Sequence, residues 1–232
     1  MNKSAIRVMN DYVDFNKIKP DGIYLWIDKT NIFQQYALIV GPENTPYFGG
    51  FYFFNIKYPD NYPEQPPEVK LMTINGKVRF NPNLYQCGKV CLSILGTWNG
   101  PSWKPIMNIR LVLNSIRSLM GEYPIQNEPG FEKTKPEYFS SIEYNLYLIF
   151  HNLEIAIIDV LNDKFKNVSS LFDQEIKAEF KKNLEKIQND LLSYQQIHGK
   201  VPVTKQIYFM EEKMLDFNTL VDKFNNIKKK LN

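Results

Sequence analysis

Three runs rich in aromatic and β-branched residues, at 23–27, 33–40 and 50–57, follow one another at a spacing of about ten residues. The polar linkers between them, Asp28-Lys29-Thr30-Asn31 and 41–49, are shorter than the dozen or more residues that a parallel crossover needs. The pattern therefore predicts an antiparallel meander rather than βαβ units. A fourth strand is expected at 68–73 (EVKLMT), after the run YPDNYPEQPP at 58–67, where proline removes donors and restricts its neighbours.

Helical periods flank the meander. Residues 3–17 read as an amphipathic helix, with Ile6, Val8, Met9, Tyr12, Val13 and Phe15 on an apolar side and Lys3, Arg7 and Asp11 at i, i+4 spacing on another. Turn chemistry at Lys19-Pro20-Asp21-Gly22 stops it. Ile109, Val112, Leu113, Ile116 and Leu119 mark a helix over 106–120. From Glu137 the composition shifts to a long helix over 137–162 and two more at 173–196 and 206–231, joined by His198-Gly199-Lys200-Val201-Pro202. The last carries an apolar stripe of Phe217, Leu220, Val221, Phe224, Ile227 and Leu231, and a short solvated tail, Lys228-Lys229-Lys230. The expected fold class is α+β: an N-terminal helix, a four-stranded antiparallel meander, helices packed on one face, and a helical C-terminal extension. Two units are expected, a core over 1–162 and a packed helical hairpin over 163–232.

The chain of 232 residues can bury one good core plus an extension. A formal charge of +3 is too small and too dispersed to imply nucleic acid or a membrane surface as a partner. No apolar run reaches the ~18 residues of a membrane span, and the first residues, MNKSAIRVMNDY, lack a signal-peptide core, so cytosol or nucleus is the expected location. Two cysteines, Cys87 and Cys91, exclude a disulfide framework and a four-cysteine zinc site.

Those cysteines sit in NPNLYQCGKVCLSILGTWNGPSW, from Asn81 to Trp103, a run without a regular period. A thiol hydrolase needs an imidazole to take the thiol proton, but the only histidines, His151 and His198, fall in the helical C-terminal part. A dithiol redox pair has two intervening residues, and here there are three. One chemistry uses a lone thiol: exchange with a thioester, followed by transfer of the acyl group to an amine. Sulfur-for-sulfur exchange is nearly isoenergetic and asks mainly for positioning. Amine attack builds an oxyanion and must deprotonate an ammonium group, for which an amide donor and a carboxylate would serve.

The runs GPENTPYFGGFYFFNIKYPDNYPEQPPEVKLMT, RFNPNLYQCGKVCLSILGTW and VLNSIRSLMGEYPIQNEPGFE resemble the ubiquitin-conjugating enzymes, in element order over 1–162. Three motifs carry the resemblance: the GP-TPY-GG turn at 41–50, YPxxPPxV at 62–69, and Asn83 eight residues before Cys91. It implies that Cys91 accepts a ubiquitin-type C-terminus as a thioester and that Asn83 supports the oxyanion or the loop. Glu128 would gate the incoming lysine, and Tyr85 would pack the loop. It further implies activating-enzyme contacts at Lys3 and Arg7 and ligase contacts around Glu64, Pro105 and Ile106. No cofactor is implied, since ATP is used upstream by the activating enzyme, and no metal. The partners implied are ubiquitin or a related modifier, the activating enzyme and a ubiquitin ligase.

The departures are informative. The family's His-Pro-Asn reads Asn81-Pro82-Asn83, and the loop carries an insertion at 95–98 (LGTW). Both features resemble the E2 Z branch of the family. Glu64 and Asn114 stand where many members are apolar, which weakens the expectation of ordinary ligase activation. Cys87 reads as an exposed bystander thiol, with a regulatory disulfide to Cys91 as the sharper alternative. An inactive adaptor of the same fold, and a carrier for another modifier, are the competing functional readings.

Overall fold

The computed structural model describes residues 3–231. Met1, Asn2 and Asn232, the outermost residues of the two expected units, lie outside the described residues, as do the side chains of Lys230 and Leu231 in the expected tail and stripe. Strands β1 (Ile23–Ile27), β2 (Gln34–Val40), β3 (Phe51–Lys57) and β4 (Glu68–Leu71) pair in sequence order, each pair antiparallel. The meander expected from the linker lengths is the sheet that forms. β4 stops earlier than expected because Thr73 replaces backbone pairing with its hydroxyl. That hydroxyl donates to the Phe51 carbonyl at 3.0 Å and accepts from the Phe53 N–H at 2.9 Å.

Register sets Ile23, Ile39 and Tyr52 on one face of the sheet and Tyr24, Leu38 and Phe53 on the other. The first face is buried along its length through Leu25, Ala37, Ile39, Tyr52, Phe54, Ile56, Val69 and Leu71. The second face is also covered in part: Leu38, Val40, Phe51 and Phe53 are buried, and Tyr24, Trp26 and Tyr36 half-buried. A run of four buried aromatics, Phe51-Tyr52-Phe53-Phe54, suits a strand covered on both sides. The C-terminal extension supplies that second cover. Phe172 stacks on Phe53 at 6.0 Å between ring centroids, and Glu179 accepts a 2.7 Å hydrogen bond from the Tyr24 hydroxyl.

Helix α1 spans Lys3–Ile18, and its buried side is Ala5, Val8 and Phe15 with Ser4 and Asp11. The apolar side expected from sequence is thus partly wrong, because Ile6 (47% exposed) and Val13 (43%) face outward. Asp11 is buried instead because it has partners, the Tyr62 hydroxyl and the Arg7 guanidinium. Helix α2 (Ile109–Leu119) begins later than 106 because Asn108 caps it, accepting from the Leu111 N–H at 3.1 Å. Helix α3 (Phe139–His151) runs on as a π-helical stretch, Asn152–Asp159, and a short α4 (Lys166–Ser169) leads to α5 (Asp173–His198).

The helix expected over 206–231 is corrected. Residues Lys200–Val203 (β5) and Lys213–Asp216 (β6) form a two-stranded antiparallel sheet, and α6 covers only Phe217–Leu231. Pro202 disfavours helix in β5 yet is tolerated at a sheet edge. Asp216 then caps α6 through the Thr219 N–H at 3.3 Å. Among the described residues no helix is long and apolar enough to cross a membrane.

Candidate active site

The loop around the thiol is built on Asn81, which is fully buried. Its Nδ2 donates to the Tyr47 hydroxyl at 2.9 Å and to the Leu119 carbonyl at 2.8 Å. Its Oδ1 accepts from the Asn83 N–H at 2.9 Å. Tyr47 in turn donates to the Phe80 carbonyl at 2.7 Å, and Asn127 adds a 3.0 Å bond to Leu119. The amide at position 81 therefore braces the loop on its own, with two donors and an acceptor engaged.

Asn83 and Cys91 are tied to each other twice. The Cys91 N–H donates to the Asn83 carbonyl at 2.8 Å, and Asn83 Nδ2 donates to the Cys91 carbonyl at 2.8 Å. The LGTW insertion locks the other side of the thiol. After a single 3-10 turn, Ser93–Leu95, Gly96 and Thr97 fold back, and the Thr97 hydroxyl donates to the Val90 carbonyl at 2.7 Å while accepting from the Leu92 N–H at 2.9 Å. Both residues next to Cys91 are thus fixed by one side chain.

Between Asn83 and Cys91 the chain makes a tight turn, in which the Gly88 N–H donates to the Tyr85 carbonyl at 2.9 Å. Gly88 has φ 88° and a Cβ there would lie 2.5 Å from the Leu71 carbonyl, so only glycine fits. The Leu71 N–H donates to the Gly88 carbonyl at 2.8 Å, and Lys70 bridges Lys89, which ties the turn to the outer edge of β4.

The Cys91 residue is 1% exposed. The Tyr85 phenol stands beside its thiol; partial burial and that thiol push the Tyr85 pKa up against the opposing charge of Arg79. The Arg79 guanidinium lies 3.5 Å from the centroid of the Tyr85 ring and donates to the Pro82 carbonyl. Glu128 is buried, and desolvation raises its pKa while the charge of Arg79 opposes the rise. Cys87 is exposed and both thiols are free. Cys87 faces a cavity of about 500 Å³ whose walls include Pro66, Val69, Lys70, Val90 and Leu95 but not Cys91.

The residues expected to meet partners gather elsewhere, around α1. Arg7 donates to the Pro105 carbonyl at 2.7 Å and the Met107 carbonyl at 2.6 Å, besides pairing with Asp11 at 2.8 Å. Its guanidinium is therefore spent on joining α1 to the loop that exposes Pro105 and Ile106, the latter 86% exposed. Trp103 donates to the Pro63 carbonyl at 2.7 Å, which brings the exposed Glu64 to the same end of the molecule. Lys3 is exposed there too, beside Ser4, whose hydroxyl donates to the Asp60 carbonyl at 2.7 Å. Asn114 is exposed on α2. Tyr47, Arg79 and Thr97 were not singled out as functional from sequence. Their neighbours are 34, 3 and 7 residues away, and only the Arg79–Pro82 proximity was available as a local signal.

A buried cysteine on a doubly tied loop, beside a four-stranded meander with an N-terminal helix, is the arrangement that the comparisons with known proteins share. The family model "Ubiquitin-conjugating enzyme" matches residues 7–145, and the chain belongs to this family. Among curated proteins it is 46% identical to ubiquitin-conjugating enzyme E2 Z of Homo sapiens over 160 residues, which is 68% of this chain and 45% of that protein. The E2 Z protein of Xenopus tropicalis is 44% identical over 164 residues, 70% of this chain and 52% of that protein. The chain thus spans about half the length of the curated relatives it matches, and the expected likeness to the E2 Z branch holds. A solved structure of human E2 G1 matches with 28% identity and a TM-score of 0.45, covering 51% of this chain and 94% of that one.

Proposed function

We propose that this chain carries ubiquitin or a ubiquitin-like modifier as a thioester on Cys91 and passes it to an amine or a ligase. The observation that carries the reading is the reciprocal tie between Asn83 and Cys91, which keeps the family's asparagine and cysteine in register despite the change at position 81. In loading, the Cys91 sulfur gives up its proton and bonds to the modifier's terminal carbonyl carbon, and the activating enzyme's sulfur leaves as a thiolate that takes up a proton. In discharge, the acceptor's ammonium gives one proton to Glu128 or water. The amine then bonds to the carbonyl carbon, the C–S bond breaks, and nitrogen's remaining excess proton goes to the departing thiolate. A carboxyl whose pKa is raised by burial suits that first proton transfer.

Incubation with activating enzyme, ATP and ubiquitin, read on a non-reducing gel, tests the reading. A thiol-sensitive adduct that Cys91→Ala abolishes is expected. The second reading, an adaptor that binds ubiquitin or a ligase without transfer, draws on the burial of Cys91. It predicts binding and no adduct. An adduct only with a different ubiquitin-like protein would redirect the choice of modifier and leave the chemistry intact.

A further inference from the structure

The chain of contacts that ends at the thiol, through Tyr85 and Arg79, begins beyond the family-matched residues 7–145. Between β5 and β6 the extension runs as a strap, 204–212. Glu143 on α3 fixes its start: one carboxylate oxygen accepts from the Thr204 N–H at 3.0 Å, the Thr204 hydroxyl at 2.7 Å and the Gln206 amide at 2.9 Å. Ile207 and Met210 are buried pegs. Held at these points, the strap turns Tyr208 and Phe209 onto Arg79. Arg79 Nη1 donates to the Tyr208 hydroxyl at 2.9 Å, and the guanidinium lies 4.1 Å from the Phe209 ring centroid. Tyr208 itself is 64% exposed, more than a packing role would ask of a tyrosine.

Arg79 is an unusual buried cation. It is 5% exposed and, among the described residues, no carboxylate lies within salt-bridge distance. Its hydrogen-bond and stacking partners are a carbonyl, a phenol and aromatic faces, its Nε has no partner, and the Glu128 carboxylate answers its charge from beyond salt-bridge distance. Burying a charge on neutral partners costs several kcal/mol in general, so the arrangement is poorly explained by stability alone. A planar guanidinium can donate and stack at once, as a lysine ammonium cannot. Here it touches Pro82 and Tyr85 of the catalytic loop on one hand and the strap on the other.

We infer that Tyr208 and Phe209 are positioning residues for transfer, holding Arg79 and through it Pro82 and Tyr85 in the arrangement from which the Cys91 thioester is attacked. The inference rests on the carrier reading of Cys91. It assigns the strap to discharge rather than loading, because amine attack adds to positioning the loss of an ammonium proton, which the nearly isoenergetic sulfur exchange does not require.

The test uses the full chain, loaded with ubiquitin, freed of ATP and chased with free lysine over a range of concentrations. Three variants are compared: Tyr208→Ala with Phe209→Ala, Arg79→Lys, and Tyr208→Phe. The maximal discharge rate of the first two should fall on the order of ten- to a hundredfold more than their loading rate, with the half-saturating lysine concentration little changed. Tyr208→Phe, which keeps the ring and loses the acceptor hydroxyl, should fall between them and the wild type. Equal losses in loading, discharge and melting temperature would mean that the strap only supports the fold, and would overturn the inference. Wild-type discharge in the double variant and in Arg79→Lys would overturn it alone. A wild-type chain that accepts no modifier would remove the carrier reading and this inference together.

Discussion

The loop around Cys91 and the C-terminal extension are held to one sheet by contrasting means. Beyond the Asn81 brace on Tyr47 and Leu119, the loop is knotted by backbone groups and short polar side chains within a few residues: Asn81 to Asn83, Asn83 to Cys91, Thr97 to Val90. The extension is attached by long side chains reaching across the molecule: Phe172 to Phe53, Glu179 to Tyr24, Tyr208 to Arg79. Bonds of the first kind fix one geometry and fail together. Attachments of the second kind can be cut singly, so the two regions are separable by mutation.

The strongest cut is Phe172→Ala, which empties a buried ring from the second sheet face. It should cost about 3–5 kcal/mol in denaturant unfolding, with an unchanged slope if core and extension melt as one unit. Two transitions instead of one would show that the extension unfolds by itself. Within the loop, Asn83→Ala should leave a detectable Cys91 adduct but slow its discharge onto lysine by ~2–4 kcal/mol of barrier, as loss of an oxyanion donor does. Wild-type discharge would confine Asn83 to tying down the Cys91 carbonyl.

The smallest expected effect reads the seam between the two regions. Glu154, on the π-helical stretch, is held at about pKa 2, first by the neighbouring His151 imidazole 3.4 Å away and then by the charges of Lys213 and Lys223 of the extension. A carboxyl with a depressed folded pKa adds stability above its ordinary value of 4.5 and loses it as the pH falls toward 2. Glu154→Gln should therefore flatten the acid limb of a stability-versus-pH curve between about 4.5 and 2. Because both lysines are 42% exposed, the difference should stay under ~1 kcal/mol at neutral pH. An unaltered acid limb would mean that this contact contributes nothing to joining core and extension.

What could be read from the sequence follows the same division. Linker lengths and strand composition dictate the meander, and the Asn83–Cys91 spacing is a local feature whose geometry matches the motif. Asn81 as a replacement brace was interpretable only as a branch feature, because its partners Tyr47 and Leu119 lie 34 and 38 residues away. The buried side of α1 differs from the expected one for a related reason: besides its local partner Arg7, Asp11 meets Tyr62, 51 residues on, in the core. The expectation of helix over the strap carries the helical stripe that starts at Phe217 back to 206, across Ile207 and Met210, which also stand three residues apart. Pegs that enter a surface from a non-helical segment can share that interval.

The close crossing of Gly88 over Leu71 has a consequence apart from chemistry. β4 is the outer strand of the sheet, and an outer strand offers unpaired backbone groups to any other chain in solution. By bonding to Leu71 and bridging Lys70 to Lys89, the thiol-bearing loop acts as a guard along that border. Damage at Gly88 would then be felt as self-association of the protein, and not only as lost transfer.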